Sequence, residues 1–165
     1  MGILDVLDLP DDLTTELDGK PDRHLAVVAC MDARMDVYRI LDLEVGEANV
    51  IRNAGGVITD DVIRSLTVSQ WELETSIIVL VHHTKCGMLR FPEAEFRERL
   101  AEHAGARPEW SADGFDDVER DVRESIRRIE LNPFLKHKHC VLGYVYDVDT
   151  GERRFVARSK VLEAA

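Results

Sequence analysis

Several residue classes are scarce in this sequence, and each shortage narrows the range of possible functions. Aromatic residues make up 6% of the 165 residues, and there are only three cysteines, Cys30, Cys86 and Cys140. An odd number of widely spaced cysteines is poorly suited to a disulfide framework, so we expect these thiols to bind metal, act in catalysis or fill the core. No apolar run approaches the roughly 20 residues of a membrane-spanning helix. We therefore expect no membrane partner.

Basic residues are outnumbered as well. The chain has 21 Lys and Arg against 32 Asp and Glu, which gives a formal net charge of −11. Nucleic acids and anionic membranes both attract basic faces, so this balance argues against either as a partner. The acidic first 22 residues lack the positive segment and long apolar segment of a signal peptide. We expect a cytoplasmic protein that forms one domain over 1–165, with 1–22 as an N-terminal arm.

Apolar runs alternate with amphipathic stretches along the chain, which predicts an α/β fold with a mainly parallel sheet flanked by helices. Predicted strands cover 24–31 and 76–81, and 48–56 is predicted as a short strand that runs into a turn with paired glycines. Predicted helices cover 36–44, 60–75, 90–104 and about 116–131, and two short strands joined by a turn close the chain from residue 139. Thr59 is the expected N-cap of the second helix, Gly46 closes the first, and Asn132 with Pro133 stops the last. The closing strands could add an antiparallel edge.

Potential metal ligands follow two of the predicted strands. Cys30 ends the first strand, and the stretch "HHTKCG" (82–87) follows the third. Ligands of open α/β sheets gather at the carboxyl ends of the strands, so Cys30, one of the two histidines and Cys86 could meet there. Two thiolates and one imidazole suit tetrahedral zinc and leave a fourth position open, as catalytic zinc sites do.

His82 and His83 compete for the single imidazole position. Side chains alternate along a strand, so only one of the two can face the metal. We favour His83 because its loop to Cys86 is shorter, and we expect His82 to pack or to support the site. Cys140 is expected to be a core residue inside a strand, and "HKHC" (137–140) a solvated loop.

Asp32 and Arg34 follow Cys30 at intervals of two residues. Surface ion pairs of this kind are common and contribute little. Here, however, the Asp32 carboxylate could reach the metal or its open position, and Arg34 could hold it in a bidentate pair that keeps it ionised. The two residues are therefore candidate catalytic groups.

The stretches "CMDAR", "RNAGG" and "HHTKCG", in this order and spacing, resemble the β-class carbonic anhydrases, in particular their smaller prokaryotic, archaeal-type subgroup. The resemblance extends over most of residues 24–150. It implies one Zn²⁺ per subunit held by Cys30, His83 and Cys86, and a catalytic pair formed by Asp32 and Arg34. It also implies about four parallel strands plus an edge strand, and assembly into homodimers or larger homo-oligomers.

The reaction that the resemblance implies is the reversible hydration of carbon dioxide to bicarbonate and a proton by zinc-bound hydroxide. In some members the aspartate ligates zinc at rest; if Asp32 does so here, raising the pH should return it to Arg34. "RNAGG" (52–56) is expected to shape the backbone near the metal. The proton shuttle stays open, with His82 and Tyr38 as candidates.

Three further alternatives stay open from the sequence. Asp60 and Arg64 either tether the site to a partner subunit or are solvated charges. The same scaffold could hydrolyse carbonyl sulfide or carbon disulfide. The remaining interpretation is a non-catalytic zinc protein. The Asp32–Arg34 pair argues against it, because a purely structural zinc site does not need such a pair.

Overall fold

A computed structural model describes residues 19–161, so most of the predicted N-terminal arm lies outside the described residues. The strands are β1 (Leu25–Cys30), β2 (Ala48–Asn53), β3 (Ile77–His83), β4 (Val141–Tyr146) and β5 (Arg153–Arg158). The helices are α1 (Val37–Leu41), α2 (Asp60–Trp71), α3 (Glu93–Ala104) and α4 (Val118–Leu131), and a short 3-10 turn covers Ala54–Gly56. None of the helices described here has the length and apolar content needed to cross a membrane.

The five strands form one sheet in the order β2-β1-β3-β4-β5. The first four are parallel to one another, and β5 pairs antiparallel with β4 at the edge. This confirms the predicted α/β fold with a mainly parallel sheet and an antiparallel edge strand. Because β1, β2 and β3 are parallel neighbours, their carboxyl ends lie side by side at one edge of the sheet.

The central strands are buried on both faces, which explains why they appear in the sequence as continuous apolar runs. On one face Ala26, Val28, Ile78 and Leu80 pack in a cluster that includes the buried sides of α2 and α4. On the other face the alternate residues of β1 and β3 pack with Met35 and α1. The two layers pack against β1 and β3 from both sides and so determine where their carboxyl ends lie.

Two predicted helix ends were wrong. The first helix ends at Leu41, not near Gly46, because Asp42 adopts the left-handed conformation (φ 56°) and its N–H bonds back to the Arg39 carbonyl. The second ends at Trp71, not at residue 75, because the chain turns at Glu74 (φ 62°) to enter β3. Its start is as predicted, with the Thr59 side chain accepting a hydrogen bond from the N–H of Val62.

The region before β4 also differs from expectation. Cys140 precedes the strand and is half-buried, so its prediction as a core residue within a strand was wrong. The stretch 137–140 is half-buried as well, not a solvated loop. The rings of His137 and His139 lie edge to face with centroids 6.0 Å apart, and the Gln70 side chain donates to the His137 carbonyl, so this segment packs against α2.

Candidate metal centre

The ends of β1 and β3 bring together one nitrogen and two sulfur ligands. Cys30 is the last residue of β1, His83 is the last residue of β3, and Cys86 follows three residues later. Their ligand atoms lie within 4.8 Å of one another, and all three side chains are buried. Within residues 19–161 this is the only group of three His, Cys, Asp or Glu residues with such spacing. Lys85 takes a left-handed φ of 53° in the turn between His83 and Cys86.

The hydrogen bonding of His83 leaves one ring nitrogen free to bind a metal. Nδ1 lies 2.8 Å from the Thr84 carbonyl oxygen, which can only accept, so Nδ1 carries the proton. Nε2 then has a lone pair, and it is buried without a hydrogen-bond partner. Buried polar atoms are rarely unpaired, and binding to a metal would explain the unpaired Nε2. A metal-ligating imidazole usually donates its other ring N–H to a carbonyl or carboxylate oxygen, as Nδ1 does here.

The distance between the two sulfurs matches zinc. Tetrahedral zinc with Zn–S bonds of about 2.3 Å holds two thiolates about 3.8 Å apart. The Sγ atoms of Cys30 and Cys86 are 3.8 Å apart. The residues present therefore fit a tetrahedral zinc ion, with three protein ligands and one remaining position.

The electrostatics of the two thiols also favours a cation. The hydrogen bond from Cys86 lowers the pKa of Cys30, and the same contact, with burial, raises the pKa of Cys86 because a second thiolate would lie beside the first. Burial lowers the pKa of His83, but the negative charge of the Cys30 thiolate beside it and the hydrogen bond to the Thr84 carbonyl outweigh this effect, so the net shift is upward. A divalent cation would stabilise both thiolates and neutral His83 together.

Asp32 lies next to the three candidate ligands and is held there by Arg34. The Arg34 side chain donates from Nε to Oδ1 at 2.9 Å and from Nη2 to Oδ2 at 2.8 Å, and its backbone N–H donates to Oδ1. These bonds hold the pKa of Asp32 well below its usual range. Oδ2 lies 3.8 Å from Nε2 of His83. Of the two partners considered for Asp32, the structure shows Arg34.

His82 lies apart from the ligand set, as expected from strand alternation. Its side chain is fully buried, and Nε2 is 2.5 Å from an Asp121 carboxylate oxygen on α4. Its ring also packs against Phe115, with centroids 5.9 Å apart. Asp60 and Arg64 lie elsewhere at the surface, where Asp60 accepts from Arg128 and Arg64 pairs with Asp61.

Sequence reasoning missed the apolar wall of the centre. Val57, Met88 and Phe115 pack with Cys30 and Cys86 in one buried cluster. Phe115 pairs with Met88 through a backbone hydrogen bond of 3.0 Å, which brings the loop after α3 to the site. That loop has no periodicity from which its contact with the site could have been predicted. Val57 and Met88 could have been suspected, because they directly follow "RNAGG" and "HHTKCG" in the sequence.

The fold and centre define an α/β protein with a Cys-His-Cys metal-ligand set at the carboxyl edge of a parallel sheet. A family model described as carbonic anhydrase matches residues 25–153. β-Carbonic anhydrase 1 of Mycobacterium tuberculosis is 54% identical over 132 residues, covering 80% of this chain and 81% of that protein. The chain therefore belongs to the carbonic anhydrase family, in its β class.

Two other similarities bear on fold and substrate. The crystal structure of carbonic anhydrase from Streptococcus mutans has a TM-score of 0.81 and 43% sequence identity, and the match covers 87% of both chains. A carbon disulfide hydrolase from an Acidianus species is 41% identical over 156 residues, covering 80% of this chain and 76% of that protein. The chain is thus similar to proteins that are named for two different substrates.

Proposed function

We propose that this chain catalyses the reversible hydration of carbon dioxide to bicarbonate and a proton, using one zinc ion held by Cys30, His83 and Cys86. The observation that carries the proposal is the buried, unpartnered Nε2 of His83 beside two sulfurs 3.8 Å apart. Family membership supports the same reaction. A cytoplasmic location, expected from the sequence, is part of this proposal and can be checked by cell fractionation.

The ligand set determines what zinc would supply. Zinc in such a site is a Lewis acid that lowers the pKa of a coordinated water to about 7, and the general example of this effect is itself a carbonic anhydrase. Two thiolates offset the charge of the cation more than neutral imidazoles would. The remaining residues of the site should therefore contribute correspondingly more to catalysis.

Asp32 and Arg34 are the proposed catalytic pair. An ionised carboxylate can only accept hydrogen bonds, so Asp32 can orient the reacting water through one of its O–H groups. Arg34 fixes both carboxylate oxygens and is itself held by the Lys85 carbonyl at 3.0 Å. The apolar side chains of Val57, Met88 and Phe115 beside the thiols exclude water and suit an uncharged substrate such as carbon dioxide.

The test combines bound metal with activity. We expect elemental analysis to find one zinc per chain and stopped-flow measurements to show carbon dioxide hydration in the wild type. Cys86→Ala should lose most of both, because it removes one of three ligands. Cys140→Ala is the matched control, since that thiol is half-buried and lies outside the ligand set. Full activity in Cys86→Ala would refute the ligand assignment.

Carbon disulfide or carbonyl sulfide hydrolysis is the second candidate, supported by the similarity to a carbon disulfide hydrolase. The same ligand set would serve either substrate, because each is a linear molecule with an electrophilic carbon. Sulfide release from both compounds should be measured beside carbon dioxide hydration on one preparation. Sulfide release without carbon dioxide turnover would favour this candidate over the first.

A further inference from the structure

The backbone that carries Cys30 and Asp32 is held from outside the metal centre by the segment 52–56. We call residues 30–32 the ligand turn, because this stretch bears a candidate metal ligand and a candidate catalytic group. β1 and β2 are parallel neighbours, and Cys30 is paired with Asn53 at their carboxyl ends. The N–H of Met31 donates to the Asn53 carbonyl at 2.7 Å, so the two segments remain in contact past the ends of the strands.

Gly56 packs directly on the peptide bond that precedes the cysteine. It is buried and has a φ of 69°. A Cβ atom placed there would lie 2.9 Å from the Cys30 nitrogen and 3.0 Å from the Ala29 carbonyl carbon. Both are backbone atoms, so no side-chain rotation can relieve the contact. Any larger residue at this position must push the backbone of Cys30.

Arg52 holds the ligand turn at both ends. Its Nε donates to the Cys30 carbonyl at 3.0 Å, and its Nη2 donates to the Asp32 carbonyl at 2.8 Å. The guanidinium is planar and rigid, so these two bonds fix the distance between the two carbonyl oxygens. The Arg52 side chain is solvent-exposed, so removing it leaves no cavity in the hydrophobic core.

We propose that Gly56 and Arg52 are positioning residues that set the placement of the Cys30 thiolate and of Asp32 at the metal; this rests on the proposed function. Metal–ligand distances tolerate deviations of only about 0.2 Å. Restoring an ordinary contact at Gly56 means widening it from 2.9 Å to 3.4 Å. A shift of that size in the Cys30 backbone exceeds the tolerance of a zinc–sulfur bond.

The first test compares Gly56→Ala with Gly105→Ala. Gly105 has nearly the same φ, 70°, but nothing lies within 4 Å of its would-be Cβ. Both variants therefore place an alanine at a left-handed φ, and only the first presses on Cys30. We expect Gly56→Ala to bind zinc about 10- to 100-fold more weakly, which is the loss typical of residues that support a metal ligand. Competition with a chromophoric chelator measures this affinity.

A spectroscopic signature separates positioning from general destabilisation. In the cobalt-substituted protein, the thiolate-to-cobalt absorption reports the geometry of the sulfur ligands. Gly56→Ala should shift or weaken this band, whereas Gly105→Ala should reproduce the wild-type spectrum. Wild-type affinity and spectrum in Gly56→Ala would overturn the role of Gly56.

The second test replaces Arg52, whose exposed side chain can be removed even if Gly56→Ala fails to fold. Arg97 is the matched control, because it also donates to two backbone carbonyls, those of Pro108 and Trp110, after α3. We expect Arg52→Met to weaken zinc binding about 10-fold and to change the cobalt spectrum. Arg97→Met should change neither, and Arg52→Lys, which keeps a donor, should recover part of the affinity.

The outcomes distinguish this inference from the proposed function. Equal zinc affinity and identical cobalt spectra for Arg52→Met and Arg97→Met would overturn the role of Arg52, even though the wild type binds zinc. A wild type that binds neither zinc nor cobalt would overturn the proposed function, and this inference with it.

Discussion

Nε2 of His83 and the Asp32 carboxylate face each other at 3.8 Å, and they show how single residues determine the chemistry of this site. The residue types and their spacing in the sequence were enough to select Cys30, His83 and Cys86 as candidate ligands. Strand alternation then allowed only one of the two adjacent histidines to face the metal, and the shorter loop to Cys86 favoured His83 over His82. What the sequence left undecided was the partner of Asp32, because the choice between Arg34 and the metal depends on distances of a few ångströms that spacing does not encode.

The Asp32–Arg34 pair leads to a prediction about pH. A pKa lowered in the folded state means that the ionised carboxylate stabilises the fold above its unfolded-state value of about 3.9, and that this contribution is lost as the pH falls through the lower folded value. In the metal-free wild type we expect Asp32 to remain ionised at pH 4. In Arg34→Met the guanidinium is lost but the backbone N–H of residue 34 still donates to Oδ1, so the pKa of Asp32 should rise toward its unfolded-state value and the carboxyl should protonate at a higher pH than in the wild type. Carbon-13 NMR of the side-chain carboxyl can measure this shift.

Arg64→Met is the control for this titration. Arg64 also pairs with an aspartate, Asp61, but at an exposed position on α2. Its removal should leave the Asp32 titration unchanged. A wild-type Asp32 that is already half protonated at pH 4 would contradict the hydrogen-bonded pair described here.

At the scale of elements, the buried strands and the start of α2 could be predicted because local signals determine them. Strands β1 and β3 are continuous apolar runs, and Thr59 followed by two aspartates marks a helix start. The end of α1 could not be predicted, because it depends on Asp42 adopting a left-handed conformation that glycine would ordinarily take. The approach of Phe115 to the metal centre also escaped prediction, since it depends on a long-range contact made by a loop.

The contact between β3 and α4 gives a prediction about stability. His82 is fully buried, and Asp121 is the hydrogen-bond partner of its Nε2. Asp121→Ala would leave this nitrogen buried and unpaired, which costs about 1–3 kcal/mol. We expect the free energy of unfolding in urea to fall by that amount.

Asp116→Ala serves as the control for Asp121→Ala. Asp116 is an exposed aspartate just before α4, and its Oδ2 lies 3.6 Å from Nη2 of Arg120. Its removal should change the free energy of unfolding by no more than about 0.5 kcal/mol. Equal losses in the two variants would show that the buried hydrogen bond does not stabilise the fold as argued.

At the scale of the whole molecule, homodimers or larger assemblies remain a prediction from the sequence. Val68, Trp71 and Phe134 are large apolar side chains that stay exposed, and they line one groove of about 690 Å³ beside α2. Aromatic side chains are enriched at the centres of protein–protein interfaces. We expect sedimentation equilibrium to give at least twice the single-chain mass of 18.7 kDa. A single-chain mass at micromolar concentration would contradict this prediction.

The acidic balance of the chain, with a formal net charge of −11, favours a small-molecule substrate over nucleic acid, and this remains a prediction from the sequence. The family could be inferred from three short motifs because they place all the candidate ligands and both catalytic candidates in about 60 residues. Gly56 and Arg52 lie in one of those motifs, but their contacts with the ligand turn became clear only from the structure. Steric contact between backbones leaves little trace in a single sequence.

The most direct test of the proposed function is the rate of carbon dioxide hydration, measured by stopped flow on one preparation as the zinc-loaded, metal-free and zinc-restored protein. We predict that hydration is fast with one zinc per chain, falls to the uncatalysed rate when a chelator removes the metal, and returns when zinc is added. An unchanged rate after metal removal, or a zinc-loaded protein no faster than buffer, would contradict zinc-dependent hydration of carbon dioxide by this chain.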